Sequence, residues 1–120
     1  MNYNRLQVGG FLTRNPELAY TPGGVAVCKF SVAANHKYKD QEEVLFMPCT
    51  AFGKTGELIN EHFKKGNPIF TEGRLKEEKW ADKETGAPRS KVVLIVDRFT
   101  FVGGKREESA RSPDNDDVPF

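Results

Sequence analysis

Aromatic rings set among cations can stack on flat conjugated groups while neutralising nearby anions, and this 120-residue chain carries such a set: Tyr38, Phe46, Phe52 and its single tryptophan, Trp80, with Lys29, Arg74 and Lys76. The residues that would support bond-making chemistry are sparser. Gly53-Lys54-Thr55 has the ending of a phosphate-cradling loop, but that loop needs a glycine at position 48, which is Pro48. Glu42-Glu43 and Glu77-Glu78 are adjacent carboxylates, and neighbouring positions on an extended chain point apart, so neither pair can share a substrate as acid and base. His36 and His62 are the only histidines, and Cys28 and Cys49, 21 positions apart, form no ligand set. No catalytic constellation, metal site or cofactor motif is expected, and the two cysteines read as small buried apolar groups.

The elements that must position the aromatic and basic residues are mostly strands. Arg5 to Leu12, Glu17 to Tyr20, Val25 to Asn35, Val44 to Phe52, Pro68 to Trp80 and Arg89 to Val102 are rich in apolar residues or alternate between apolar and polar. Gly9-Gly10 predicts a bulge or sharp bend in the first. Thr21-Pro22-Gly23-Gly24 predicts a type II hairpin turn, and Asp82 to Pro88 a polar loop. Thr55 to Phe63 has Leu58, Ile59, His62 and Phe63 at helical spacing, with Thr55 as the expected N-cap and Gly66 as the stop. Five main strands with a helix between the third and fourth is the order of the oligonucleotide/oligosaccharide-binding (OB) barrel, an all-β fold with one short helix.

Strand parity then separates core from surface. Ala26, Cys28, Phe30 and Val32 face inward, turning Lys29 out; Leu45, Met47, Cys49 and Ala51 face inward, turning Phe46 and Phe52 out. Ile69, Thr71, Gly73 and Leu75 form the inner face of their strand, which leaves Phe70, Arg74, Lys76, Glu78 and Trp80 outside. Tyr38 falls in a polar loop. Phe70 reads as a subunit contact. An exposed surface of Tyr38, Phe46, Phe52 and Trp80 interleaved with Lys29, Arg74 and Lys76 is costly for a domain with no partner and suits unpaired nucleic acid, each base offering a π-face worth ~1–3 kcal/mol on stacking.

Composition bounds the rest. The chain is one domain by length, with 38% hydrophobic residues, no apolar run long enough for a membrane span and no charged-then-apolar leader, so an unexported cytoplasmic protein is expected. The net charge of +1 is unevenly divided: residues 1–104 hold 15 Lys and Arg against 12 Asp and Glu, and residues 105–120 hold 3 against 5. The expected organisation is a mildly basic body, 1–104, followed after Gly103-Gly104 by a disordered acidic tail, 105–120. Asp116 and Asp117 lead to Val118-Pro119-Phe120, a tip that a partner could hold with an apolar pocket and a basic rim.

Val8-Gly9, Asn15-Pro16-Glu17, Gly23-Gly24, Ala51-Phe52-Gly53-Lys54, Lys65-Gly66, Glu72-Gly73-Arg74-Leu75, Lys79-Trp80-Ala81-Asp82 and the terminal Asp116-Asp117-Val118-Pro119-Phe120 together resemble the bacterial and phage single-stranded DNA-binding proteins, over nearly all of residues 2–104 and again at the last few residues. The resemblance implies base-stacking roles for Tyr38, Phe46, Phe52 and Trp80. It implies assembly as a homotetramer, and recruitment of replication, repair and recombination enzymes through the acidic tip, at the bacterial nucleoid or in a phage-infected host. Tyr38 and Phe46 stand where familiar members carry tryptophan, implying weaker stacking, and Glu78 stands where a basic residue is familiar. Two other readings remain open on the residues: an OB domain for RNA or a primosome accessory, and a protein-interaction module whose outward aromatics are subunit contacts.

Overall fold

Alternation of apolar and polar side chains builds six strands and one helix in a computed structural model, which describes residues 1–102. In chain order these are β1 (Leu6–Leu12), β2 (Glu17–Tyr20), β3 (Ala26–Tyr38), β4 (Gln41–Phe52), α1 (Gly53–His62), β5 (Pro68–Ala81) and β6 (Pro88–Phe101). Strands pair in the order β1-β5-β6-β4-β3, and β1 also pairs with β3, so five strands close into a barrel with β2 alongside β3. All pairings are antiparallel except β4 with β6. This is the OB architecture, and the tail 105–120 with its tip lies outside the described residues.

The core is made by the inner faces that parity assigns: Cys28, Phe30 and Val32 of β3, Cys49 and Ala51 of β4, Ile69 of β5 and Leu94 of β6, plugged by Ile59 and Phe63 from the helix end. The one buried hydroxyl among them, Thr71, donates to the Val8 carbonyl at 2.8 Å, so nothing polar is stranded there. Burial raises the Cys28 thiol to about 11 and the Cys49 thiol to about 12, and both cysteines are free, as expected of packing residues.

Two glycines set the barrel's closure. A Cβ on Gly10 would collide with the Ala33 carbonyl, where β1 crosses from β5 to β3, and one on Gly73 would collide with the Ile95 carbonyl. Gly9-Gly10 therefore does not form the expected bulge: β1 runs in unbroken register with β5 from Leu6 to Phe11. The bulge is in β6, where Asp97 is extra between Val96, opposite Gly73, and Arg98, opposite Glu72. Asp97 uses that freedom to accept a hydrogen bond from Arg5 Nη1 at 2.8 Å, and Arg5 also meets Glu72 at 3.1 Å, so one guanidinium joins the start of the chain, β5 and β6.

Other local expectations shift for identifiable reasons. In the 21–24 turn the Gly24 N–H donates to the Thr21 carbonyl at 2.8 Å, and Gly24, not Gly23, has positive φ (88°), so the turn is not type II. The helix starts at Gly53, whose φ of 65° turns the chain straight out of β4; Phe52 occupies the N-cap position without a side-chain bond, and Thr55 lies inside the first turn. It ends at His62, before Gly66. The polar segment 36–43 is no loop, since β3 and β4 keep pairing to Tyr38↔Gln41 around Lys39-Asp40. Because that ribbon extends past the barrel, Leu45, expected in the core, is 52% exposed. No helix among the described residues is long and apolar enough to cross a membrane.

Candidate nucleic-acid interface

The outer face of β3, β4, β6 and β5 is a continuous curved surface, and the strand register fixes its layout. Lys29 on β3 pairs with Thr50 on β4, Thr50 with Ile95 on β6, and Ile95 with Arg74 on β5. Registered partners share a face, so these four side chains form one row across the sheet. In its middle Thr50 and Ile95 are 4% and 8% exposed, a short floor between the longer Lys29 and Arg74.

Rings stand on this face on both sides of that row. Phe46 and Phe52 are on β4 at even positions with Thr50, and are 62% and 44% exposed. Lys76 and Trp80 follow Arg74 at even positions of β5, and Trp80 is 48% exposed. Six of the seven residues expected to bind nucleic acid therefore share one outer face: Lys29, Phe46, Phe52, Arg74, Lys76 and Trp80. The seventh differs. Tyr38 pairs with Gln41, whereas Phe46 pairs with Ala33, so Tyr38 is on the opposite side of the β3–β4 ribbon, 60% exposed, with Lys39 Nζ 5.3 Å from its ring centroid.

The register also adds residues that parity within one strand cannot supply. Arg89 pairs with Trp80 and Lys91 with Glu78, placing two further cations on the β6 side of the same face. Lys91 faces the one carboxylate that interrupts the basic run of β5. The sequence signal for both was the antiparallel pairing of the strands flanking 82–88, which fixes cross-strand neighbours once the loop length is known. Asp82 organises that loop: its Oδ1 accepts from the Glu84 and Thr85 N–H groups at 2.8 and 3.2 Å, and its Oδ2 accepts from Arg89 Nε and Nη2 at 3.2 and 3.1 Å. Those N–H donors, followed by the guanidinium, hold the Asp82 carboxyl below its ordinary pKa.

Among the described residues, no group of three or more His, Cys, Asp or Glu is placed to hold a metal ion. Long cations and exposed rings thus stand together on this face, with the short Thr50 and Ile95 between them.

Comparison with known proteins places the chain in a family. The profile described as "Single-strand binding protein family" matches residues 3–102. A single-stranded DNA-binding protein of Borreliella burgdorferi is 43% identical over 100 residues, covering 80% of this chain and 67% of that protein. One from Wolinella succinogenes is 43% identical over 108 residues, covering 86% and 66%. Single-stranded DNA-binding protein 1 of Synechocystis is 33% identical over 116 residues, covering 96% of each chain. The chain thus spans about two thirds of the first two relatives and nearly all of the third. Single-strand binding proteins are not enzymes, in keeping with a sequence that offers no catalytic constellation. On the strength of the profile and these relatives, with the barrel and its outer face as independent support, the chain belongs to the single-strand binding protein family.

Proposed function

We propose that this protein binds single-stranded DNA without sequence preference, stacking bases on Phe46, Phe52 and Trp80 on the barrel's outer face and on Tyr38 of the projecting ribbon, while Lys29, Arg74 and Lys76 contact phosphates. The observation that carries this reading is the coincidence of three exposed rings and three exposed cations on one face of the β3-β4-β6-β5 sheet. Exposed rings without cations would suit a protein partner as well; the pairing with cations favours a polyanion that also offers π-faces.

In this reading the protein coats DNA strands during replication, recombination and repair, and recruits enzymes through Asp116, Asp117, Val118, Pro119 and Phe120. It acts as a homotetramer. Self-association is supported by an apolar groove of about 240 Å³ lined by Gly9, Gly10, Phe11, Pro68, Phe70 and others, with Phe11 exposed on it. The body 1–104 and the tail 105–120 divide these tasks.

The test is a fluorescence titration with poly(dT) and poly(rU) at two salt concentrations. Quenching of Trp80 by DNA that weakens steeply with salt is expected, because each neutralised phosphate releases counterions. Tighter binding to the ribopolymer would instead select an RNA role, and no quenching by either would favour a protein-interaction module. Deleting residues 114–120 is expected to abolish partner capture and leave DNA affinity equal or higher.

A further inference from the structure

The polar cluster at the root of the 82–88 loop has no role in the reading above. Asp82, Arg89 and Trp80 converge there beside a shallow groove of about 510 Å³, lined by Trp80, Arg89, Lys79 and Glu77 among others. Trp80 and Arg89 are directly opposed across β5 and β6, so their Cβ atoms are about 5 Å apart on one face. Arg89 is more than half exposed, yet it is not free to wander. Its Nε and Nη2 both donate to Asp82 Oδ2, and Asp82 is itself pinned through Oδ1 by two backbone N–H groups.

Four N–H donors, two from the loop backbone and two from the guanidinium, satisfy the carboxylate, while Arg89 has five N–H bonds in a rigid planar fork. Two are spent on Asp82, which leaves three N–H bonds on a guanidinium held in the groove that Trp80 also lines. An exposed cation held at a set distance from a stacking platform is matched to a nucleotide, which presents a base and a phosphate together. Lys91, opposite Glu78, has no comparable anchor among the described contacts.

Resting on the strand-binding reading of this face, we infer that Arg89 is a phosphate contact at the Trp80 base site and that Asp82 is the positioning residue that aims it. The alternative role for Asp82 is opposite in sign: a carboxylate near a DNA backbone that merely neutralises Arg89 and repels phosphate. The persistence of its charge, favoured by the N–H donors, makes the two roles separable by substitution.

The experiment measures dT-oligomer affinity and its salt slope for the full chain, Arg89→Ala, Asp82→Asn and the double variant, using Trp80 fluorescence. The amide oxygen in Asp82→Asn still accepts the two turn N–H groups, and thermal unfolding checks that the fold is kept. Arg89→Ala is expected to bind roughly two- to fivefold more weakly, the range of an exposed charge pair. Its salt slope should fall by about 0.7, one phosphate on a single strand. Asp82→Asn should shift both in the same direction by less, and the double variant should match Arg89→Ala, because Asp82 acts only through the guanidinium. Arg89→Lys should restore the slope without the full affinity. Tighter binding by Asp82→Asn overturns the inference, and so does wild-type behaviour of Arg89→Ala while DNA still quenches Trp80. Loss of DNA binding by the wild-type chain overturns this inference and the strand-binding reading together.

Discussion

The closed barrel and the two hairpins that project from it follow different rules. Inside the barrel the inward parity is sealed: Phe30, Val32 and Leu94 are buried, and one-atom additions at Gly10 or Gly73 meet a carbonyl of the next strand. On the β3–β4 ribbon from Ala34 outward and on the β5–β6 ribbon beyond Lys76, large apolar side chains such as Leu45 and Trp80 are exposed. The barrel is built to exclude variation, and the ribbons are built to meet something else. Stability and binding should therefore separate cleanly by position.

The largest effect that would sharpen this contrast is on stability alone. Gly73→Ala places a Cβ against the Ile95 carbonyl at the bulge and should destabilise by about 3 kcal/mol, or prevent folding, as read by chemical denaturation. Trp80→Ala should do the reverse, losing ~1–3 kcal/mol of dT affinity with an unfolding midpoint close to wild type. A Trp80→Ala protein that binds normally but melts early would erase the contrast.

Finer effects divide the binding face itself. Phe52→Ala should cost more affinity for a short dT oligomer than Tyr38→Ala, because Phe52 shares the outer face with Lys29, Arg74 and Trp80, and Tyr38 is on the other side of its ribbon. Equal losses would mean that a strand wraps the ribbon edge. Among the cations, Lys29→Ala and Arg74→Ala, at the two ends of the Thr50–Ile95 row, should each lower the salt slope by about 0.7.

The smallest expected effect belongs to the barrel. The Arg5 hydrogen bond, ahead of other causes, holds the Asp97 carboxyl below its ordinary pKa. A lowered carboxylate pKa adds stability above the unfolded value that is lost as pH falls through the folded one. Asp97→Asn should thus narrow the difference in melting temperature between neutral and mildly acidic pH, by a small amount because the pair is solvent-screened.

How much of this was legible depends on burial. Where one face is sealed, period-two alternation in 26–32, 47–51 and 69–75 reads directly as core, and the OB strand order followed. The ribbon 36–43 is not legible, because a ladder exposed on both faces has no alternation to show: His36, Lys37, Glu42 and Glu43 are polar on either side. Thr55 drew the N-cap because it is a good capping residue, yet the chain reverses two residues earlier on a positive φ that only the backbone reveals. The place of Arg89 and Lys91 on this face is not legible from parity, which sorts residues within a strand, because it depends on what lies across from them. Gly10 is required by its close approach to Ala33, a cross-strand contact that the Gly9-Gly10 pair does not reveal on its own strand.

The central claim, that the outer face of β3, β4, β6 and β5 carries the strand, is tested most directly by photo-crosslinking a bromouracil-substituted dT oligomer to the full chain and mapping the adducts. Adducts at Trp80, Phe52 and Phe46 are expected, and they should fade as salt rises. Adducts confined to the Phe11–Phe70 groove or to α1, with none on those three rings, would contradict it.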